Sequence, residues 1–224
     1  MRVRFRERVT IGALLVFLGG CAGAEVGSGA GRAAAPSANG GARAGGGAPT
    51  AEGAGPTALI PPGYGTLAQA EFNLQLQSGT LQIQVTPLAE SVIRLAAPDT
   101  YQRLASLSTS AGASLSPGLS EERSLFLVSM FSRAPSTTYE PENIQIVNGG
   151  LRYRPAAIRA ITPGWGGQRL RQEEAQIAIY AFDPGIDLEI ALSVEYEGVR
   201  DASWERILNR LESERARVRA RIGS

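Results

Sequence analysis

A mainly β fold, an antiparallel β-sandwich of immunoglobulin-like architecture with a C-terminal helix, is what the sequence predicts, and three observations carry that prediction. Between Thr66 and Tyr196, short apolar runs alternate with polar residues at a period of two, the mark of strands with one buried face. Turn-forming groups interrupt them: Ser78-Gly79, Asn148-Gly149-Gly150 and Asp183-Pro184-Gly185. Beyond Asp201 the apolar period changes to three and four residues, the spacing of a helix with one buried stripe. About six to eight short strands separated by turns fit a sandwich better than a βαβ fold.

In chain order, Phe72, Leu74 and Leu76 alternate with polar neighbours, as do Leu81, Ile83 and Val85, which predicts a hairpin across Ser78-Gly79. Residues 88–95 fit strand and helix equally. Pro98-Asp99 opens a short helix near 99–108, with Tyr101, Leu104, Ala105 and Leu107 near helical spacing. The small-residue stretch 108–117 reads as a loop. Residues 125–131, Leu-Phe-Leu-Val-Ser-Met-Phe, form an apolar run suited to a central strand covered on both faces. Ile144 and Ile146 pair with Leu151 and Tyr153 across the Asn-Gly-Gly turn, and 157–161 makes a short strand. Segments 175–182 and 186–196 form a third hairpin across Asp183-Pro184-Gly185. Asp201 is placed to cap a helix near 202–221, on which Trp204, Ile207, Leu208, Leu211, Arg215, Val218 and Ile222 share a stripe. Arg210 with Glu214 and Glu212 with Arg215 are surface pairs, each contributing about 0.2–0.5 kcal/mol. The arginine-rich end of this helix, 215–221, is expected to dock on the sandwich in preference to anionic lipid headgroups.

Ahead of the domain stands a different kind of sequence. Arg2, Arg4, Arg6 and Arg8 precede an apolar run over 9–18. About ten apolar residues cannot span a hydrocarbon core of roughly 30 Å, so residues 1–20 read as a removable secretory signal. The run closes on Leu18-Gly19-Gly20-Cys21, which resembles the lipobox of bacterial lipoproteins. The resemblance implies that Leu18, Gly19 and Gly20 are recognised and cut away, and that the Cys21 thiol and the new amine carry acyl chains such as palmitate. Each buried methylene of such chains contributes about 0.8 kcal/mol to membrane attachment. It also implies, because Ala22 rather than Asp follows the cysteine, an outer-membrane location, facing the periplasm or the cell exterior. Residues 21–65 are dominated by Gly, Ala, Pro, Ser and Thr with almost no large apolar side chain, so they are expected to be a disordered tether. Its typical reach as a flexible coil is about 35–40 Å. The globular domain is then expected over 66–224.

Composition excludes many chemistries. All 22 basic residues are arginine, and there is neither lysine nor histidine. Removing residues 1–20 takes away four arginines and Glu7, leaving 18 basic and 20 acidic side chains, a poor balance for binding nucleic acid. A catalytic Ser-His-Asp triad, an imidazole metal site and a Schiff-base lysine are all impossible. The single cysteine, Cys21, leaves no free thiol once acylated. Carboxylate chemistry and oxygen-ligand metal binding remain. Asp183, Asp187 and Glu189 lie close in sequence but match no calcium loop, so no metal and no cofactor is expected. Glu173 and Glu174 are adjacent and would point to opposite faces of a strand. Arg152 and Arg154 share a strand face and read as solvated. The candidate binding feature is Trp165 in the glycine-rich loop 162–167, with Arg169 and Arg171 beside it, unless Trp165 folds back as a lid on the end of the sandwich.

Together these readings predict a membrane-anchored envelope lipoprotein, a non-catalytic binding or scaffolding module for a protein partner or a cell-surface polymer, with sandwich edges that invite pairing of copies. The alternatives are a hydrolase acting on cell-wall glycan, which needs two carboxylates about 5–9.5 Å apart in a groove, and a carrier with an internal apolar pocket.

Overall fold

Alternating burial along the strands builds two antiparallel sheets. The computed structural model describes residues 60–115 and 123–223; the signal, Cys21 and the chain up to residue 59 lie outside the described residues. In order, the elements are β1 (Leu74–Ser78), β2 (Leu81–Pro87), α1 (Glu90–Ile93), α2 (Pro98–Leu115), β3 (Ser124–Ser132), β4 (Thr137–Thr138), β5 (Gln145–Asn148), β6 (Leu151–Tyr153), β7 (Pro155–Ala160), β8 (Arg169–Leu170), β9 (Glu174–Phe182), β10 (Leu192–Tyr196), β11 (Val199–Asp201) and α3 (Trp204–Ile222). The larger sheet runs β1-β2-β3-β9-β7, the smaller β11-β10-β5-β6, and β4 with β8 makes a separate two-stranded arm.

The registers explain the core. Leu74, Val85, Val128 and Ala178 lie opposite one another across four strands, and Leu76, Ile83, Met130 and Gln176 form the next rank. All of these are buried. The smaller sheet turns Ile146, Asn148, Leu192, Val194 and Tyr196 inward, and these belong to the buried interior as well. The protein is therefore mainly β, with antiparallel sheets in a sandwich-like arrangement and a C-terminal helix.

Several details depart from the sequence-based expectation, each for a physical reason. Residues 88–95 leave β2 and form the short α1. Helix α2 continues to Leu115, because its small residues let it lie against β7: Ala111 is wholly buried, and Arg159 of β7 donates to Ser110 O and, at 2.7 Å, to Ser114 Oγ. Asp183-Pro184-Gly185 is not a hairpin turn, since β9 belongs to the larger sheet and β10 to the smaller; the segment carries the chain between layers. The Asn148-Gly149-Gly150 turn is a true hairpin, with Gly149 at φ 57° and Gly150 at φ 79°, conformations that glycine reaches without strain. Asp201 lies in β11 rather than at the cap position of α3; its carboxylate accepts from Ser203 N–H at 2.8 Å and from Gln75 N–H at 2.8 Å, joining the edges of the two sheets.

One end of the sandwich is helical. Ile60 is buried, so the ordered domain includes residues ahead of Thr66. Residues 60–67 form a strap. Leu67 bridges Ala96 in parallel, with Leu67 N–H donating to Leu95 O at 3.1 Å and Ala97 N–H to Leu67 O at 2.9 Å. A Cβ on Gly65 would meet the Leu95 carbonyl carbon at 2.1 Å, so only glycine fits there. From the other side comes α3. Glu214 lies in its buried stripe with Trp204, Ile207, Leu211 and Val218, and it does not pair with Arg210. Its Oε1 accepts from Thr66 N–H at 3.1 Å, Thr66 Oγ1 at 2.8 Å and Arg221 at 3.1 Å, and Arg217 lies 3.5 Å from Oε2. Arg215 docks inward, paired with Glu189 at 2.8 Å and Glu212 at 2.5 Å. Trp204 is wholly buried and donates its indole N–H to Leu188 O at 3.0 Å.

Candidate functional site

The opposite end carries the arm, and the strand directions put it there. β3 runs from the helical end towards the arm, ending at Ser132 five residues before β4, and β9 returns from Glu174 to Phe182. The eight steps of about 3.3 Å between the nine residues of β3 separate the two ends by roughly 26 Å.

In the arm, Thr137 pairs with Leu170 and Thr138 with Arg169. Leu170 is wholly buried, while Thr138 and Arg169 are exposed, so the arm has an inner and an outer face. Arg169 donates to the Ser136 hydroxyl through Nε at 2.8 Å and through a terminal nitrogen, which sets Ser136 on the outer side too. Arg171 follows β8 and is exposed. On the inner side, the Thr137 hydroxyl bonds Ser132 Oγ at 2.6 Å and Thr80 Oγ1 at 3.1 Å, tying the arm to the β1–β2 turn.

Trp165 is not an exposed anchor. It is 7% exposed and folds back, its ring 5.4 Å from Tyr139 and 6.1 Å from Tyr180 between centroids. Its carbonyl accepts from Tyr139 Oη at 3.3 Å. Tyr139 also donates to Gln176 Oε1, whose amide nitrogen donates to Arg169 O at 3.2 Å and to Glu174 Oε1 at 2.8 Å. Trp165 thus acts as a wedge beneath the arm, and Gln176 is the polar hub that sequence reading missed, since on β9 it looks like one more alternating polar residue. Burial, and then the nearby Glu174 and Tyr196 charges, push the Tyr139 hydroxyl up to about 12. Burial raises Tyr180 and Tyr196 as well. Glu174 is held below the usual carboxylate range by the Gln176 amide and the Arg171 N–H.

The backbone around the arm is unusual. Ser136 at φ 63°, Gln168 at φ 48° and Glu173 at φ 57° are non-glycine residues in the left-handed region, three of the four such residues among those described. Side chains there cost energy, and such positions persist where the surroundings over-determine them. Glu173 stands in this turn rather than in β9, so it and Glu174 are not strand neighbours on opposite faces.

Elsewhere, two of the three carboxylates singled out near the 183–185 turn, Asp187 and Glu189, have structural partners. Asp187 Oδ1 accepts from Glu189 N–H at 2.8 Å, and Glu189 holds Arg215 with both oxygens, which keeps its carboxyl below the usual range. Among the described residues no group of three or more His, Cys, Asp or Glu is placed to hold a metal. Arg152 is not merely solvated: it pairs with Glu195, which also lies 3.7 Å from Arg200. Arg154 is exposed. The lipobox residues Leu18, Gly19, Gly20 and Cys21 lie outside the described residues. No helix among the described residues is long and apolar enough to cross a membrane.

No known protein family matches the chain, and no curated protein matches it. Among solved structures it is similar to a secreted protein from Mycobacterium tuberculosis, MPT63, with 12% identity and a TM-score of 0.30 over 61% of this chain and 94% of that one.

Proposed function

We propose that the protein is an envelope lipoprotein, acylated on Cys21 and acting at the envelope as a non-catalytic binding module. The observation that carries this reading is the lipobox-like Leu18-Gly19-Gly20-Cys21, in which the single cysteine of the chain occupies the acylated position behind a basic start and a short apolar run. Ala22 favours the outer membrane. The non-catalytic half of the reading is supported by the side-chain inventory: no histidine, no lysine, and described carboxylates such as Glu189, Glu195, Glu214 and Asp201 engaged in holding elements together. The test is Cys21→Ser in cells producing the chain. The wild-type protein is expected to sediment with membranes until detergent is added, and the variant to appear in the soluble fraction. A variant that sediments like the wild type overturns the reading.

A further inference from the structure

We infer that the exposed end of α3, with the strap beside it, is a membrane-docking surface that takes the phosphate headgroups of an anionic bilayer. This deepens the lipoprotein reading and rests on it only for what brings a bilayer near.

The first supporting feature is charge. Docking of α3 onto the domain uses its buried stripe, including Leu211, Glu214 and Val218, and leaves the outer side of its last turns uncovered. Ala216, Arg217, Arg219, Ala220, Arg221 and Ile222 are all exposed. Glu214, the carboxylate that Arg217 and Arg221 flank, is wholly buried, and Glu212 is held by Arg215. The Arg217 side chain, though 3.5 Å from Glu214, is still 72% exposed. Three arginines thus reach solvent while the carboxylate beside them lies inside. A guanidinium fork bonds phosphate oxygens in parallel pairs, and each arginine at an anionic lipid surface raises affinity about five-fold.

The second feature is apolar. Tyr64 is 50% exposed and Ile222 43% exposed, two of the five large apolar side chains left open among the described residues. Arg221 donates to the Tyr64 carbonyl at 3.0 Å, which sets both beside the arginines, and Pro61 and Pro62 of the strap are exposed as well. These side chains separate a bilayer from a dissolved polyanion. A soluble polymer gives the arginines partners but leaves Tyr64 and Ile222 in water, whereas at the headgroup boundary an aromatic ring and an aliphatic side chain are both withdrawn from it.

The third feature is connection. The chain that comes from Cys21 enters the domain at Ile60, four residues before Tyr64. A membrane holding Cys21 is therefore joined covalently to this same end, and a weak contact becomes an intramolecular one. The contact has no need to hold the protein by itself; it sets which end of the domain rests on the surface.

Vesicle flotation tests this with the mature chain carrying Cys21→Ser, so that no acyl chain contributes. One set of vesicles mixes phosphatidylglycerol with phosphatidylcholine, and the other is phosphatidylcholine alone. The protein is expected to float with the anionic vesicles, to leave them as salt rises, and to ignore the neutral ones. Ala216→Glu/Ala220→Glu puts two carboxylates one turn apart among the arginines, and is expected to weaken binding about ten-fold or more. Tyr64→Ser/Ile222→Ser keeps every charge, and is expected to weaken vesicle binding about five-fold while leaving affinity for soluble polyphosphate unchanged. No binding, equal binding to neutral vesicles, or either double variant floating as well as the parent overturns the inference. In the last case, an unchanged Tyr64→Ser/Ile222→Ser would mark a site for dissolved polyanions instead. Acylation is decided separately: in fractionated cells, salt strips a molecule held by this surface alone, whereas only detergent releases an acylated one.

Discussion

At the helical end, Glu214 is wholly buried and one of its oxygens takes two bonds from Thr66, a residue 148 positions away. At the arm end, Arg169 stands in solvent on a strand pair only two residues long, and Arg171 just beyond it. Both ends are rich in polar groups, yet those groups do opposite work. Inside, a charge fixes one geometry, because leaving it unpaired in a dry interior costs several kcal/mol. Outside, a charge contributes little to stability. The apolar residues show the same division: Trp204 closes the helical end, whereas Trp165 is used to stiffen an exposed platform.

The largest expected effect lies at Glu214. Replacing it with Ala removes the acceptor of both Thr66 bonds and should cost about 3–5 kcal/mol in urea unfolding, with Leu costing less because it refills the space. Equal stability of Glu214→Ala and the parent would erase the distinction between the ends. An intermediate effect belongs to Tyr139. Its hydroxyl ordinarily loses a proton near pH 10, and folding raises that value to about 12. Between those values the folded state holds a proton that the unfolded chain has released, so stability is full below about pH 10 and is lost as pH rises towards about 12. Tyr139→Phe should cost about 1 kcal/mol at neutral pH through its lost hydrogen bonds, and should make the alkaline decline shallower in pH-dependent thermal unfolding. The smallest change is expected for Arg169→Gln and Arg171→Gln, within about 0.5 kcal/mol of the parent. A loss above that would mean the outer side of the arm is part of the scaffold.

How far the sequence could be read depended on the range of the interactions. The hairpins at Ser78-Gly79 and Asn148-Gly149-Gly150 were legible, because turn chemistry and alternation are local. The central strand was legible from its continuous apolar run, now β3 between β2 and β9. The turn at Asp183-Pro184-Gly185 looked equally good, but no local signal says whether the next strand returns to the same sheet or crosses to the other. Residues 108–115 looked like a loop because Ser, Ala and Gly are weak helix signals; packing of Ala111 and the bonds from Arg159 hold them helical. At the site, Arg169 and Arg171 were visible as residue types, but the side that Arg169 shares with Thr138 emerges only from the register of β4 with β8, and its bonds to Ser136 only from the fold. Glu214 was hidden for the same reason, since its partner Thr66 is far away in the chain and a glutamate in a stripe normally marks the solvent side.

The strap has a mechanical consequence. Tension applied through the N-terminal chain reaches the domain at residues 60–67, where Arg94 holds the Ile60 carbonyl at 3.2 Å, Leu67 is bridged to Ala96, and Glu214 and Arg221 hold Thr66 and Tyr64. The pull therefore meets the segment just after α1 on one flank and α3 on the other, with Gly65 seated against Leu95 between them. A drag on the globule is met first by the contacts that close its helical end.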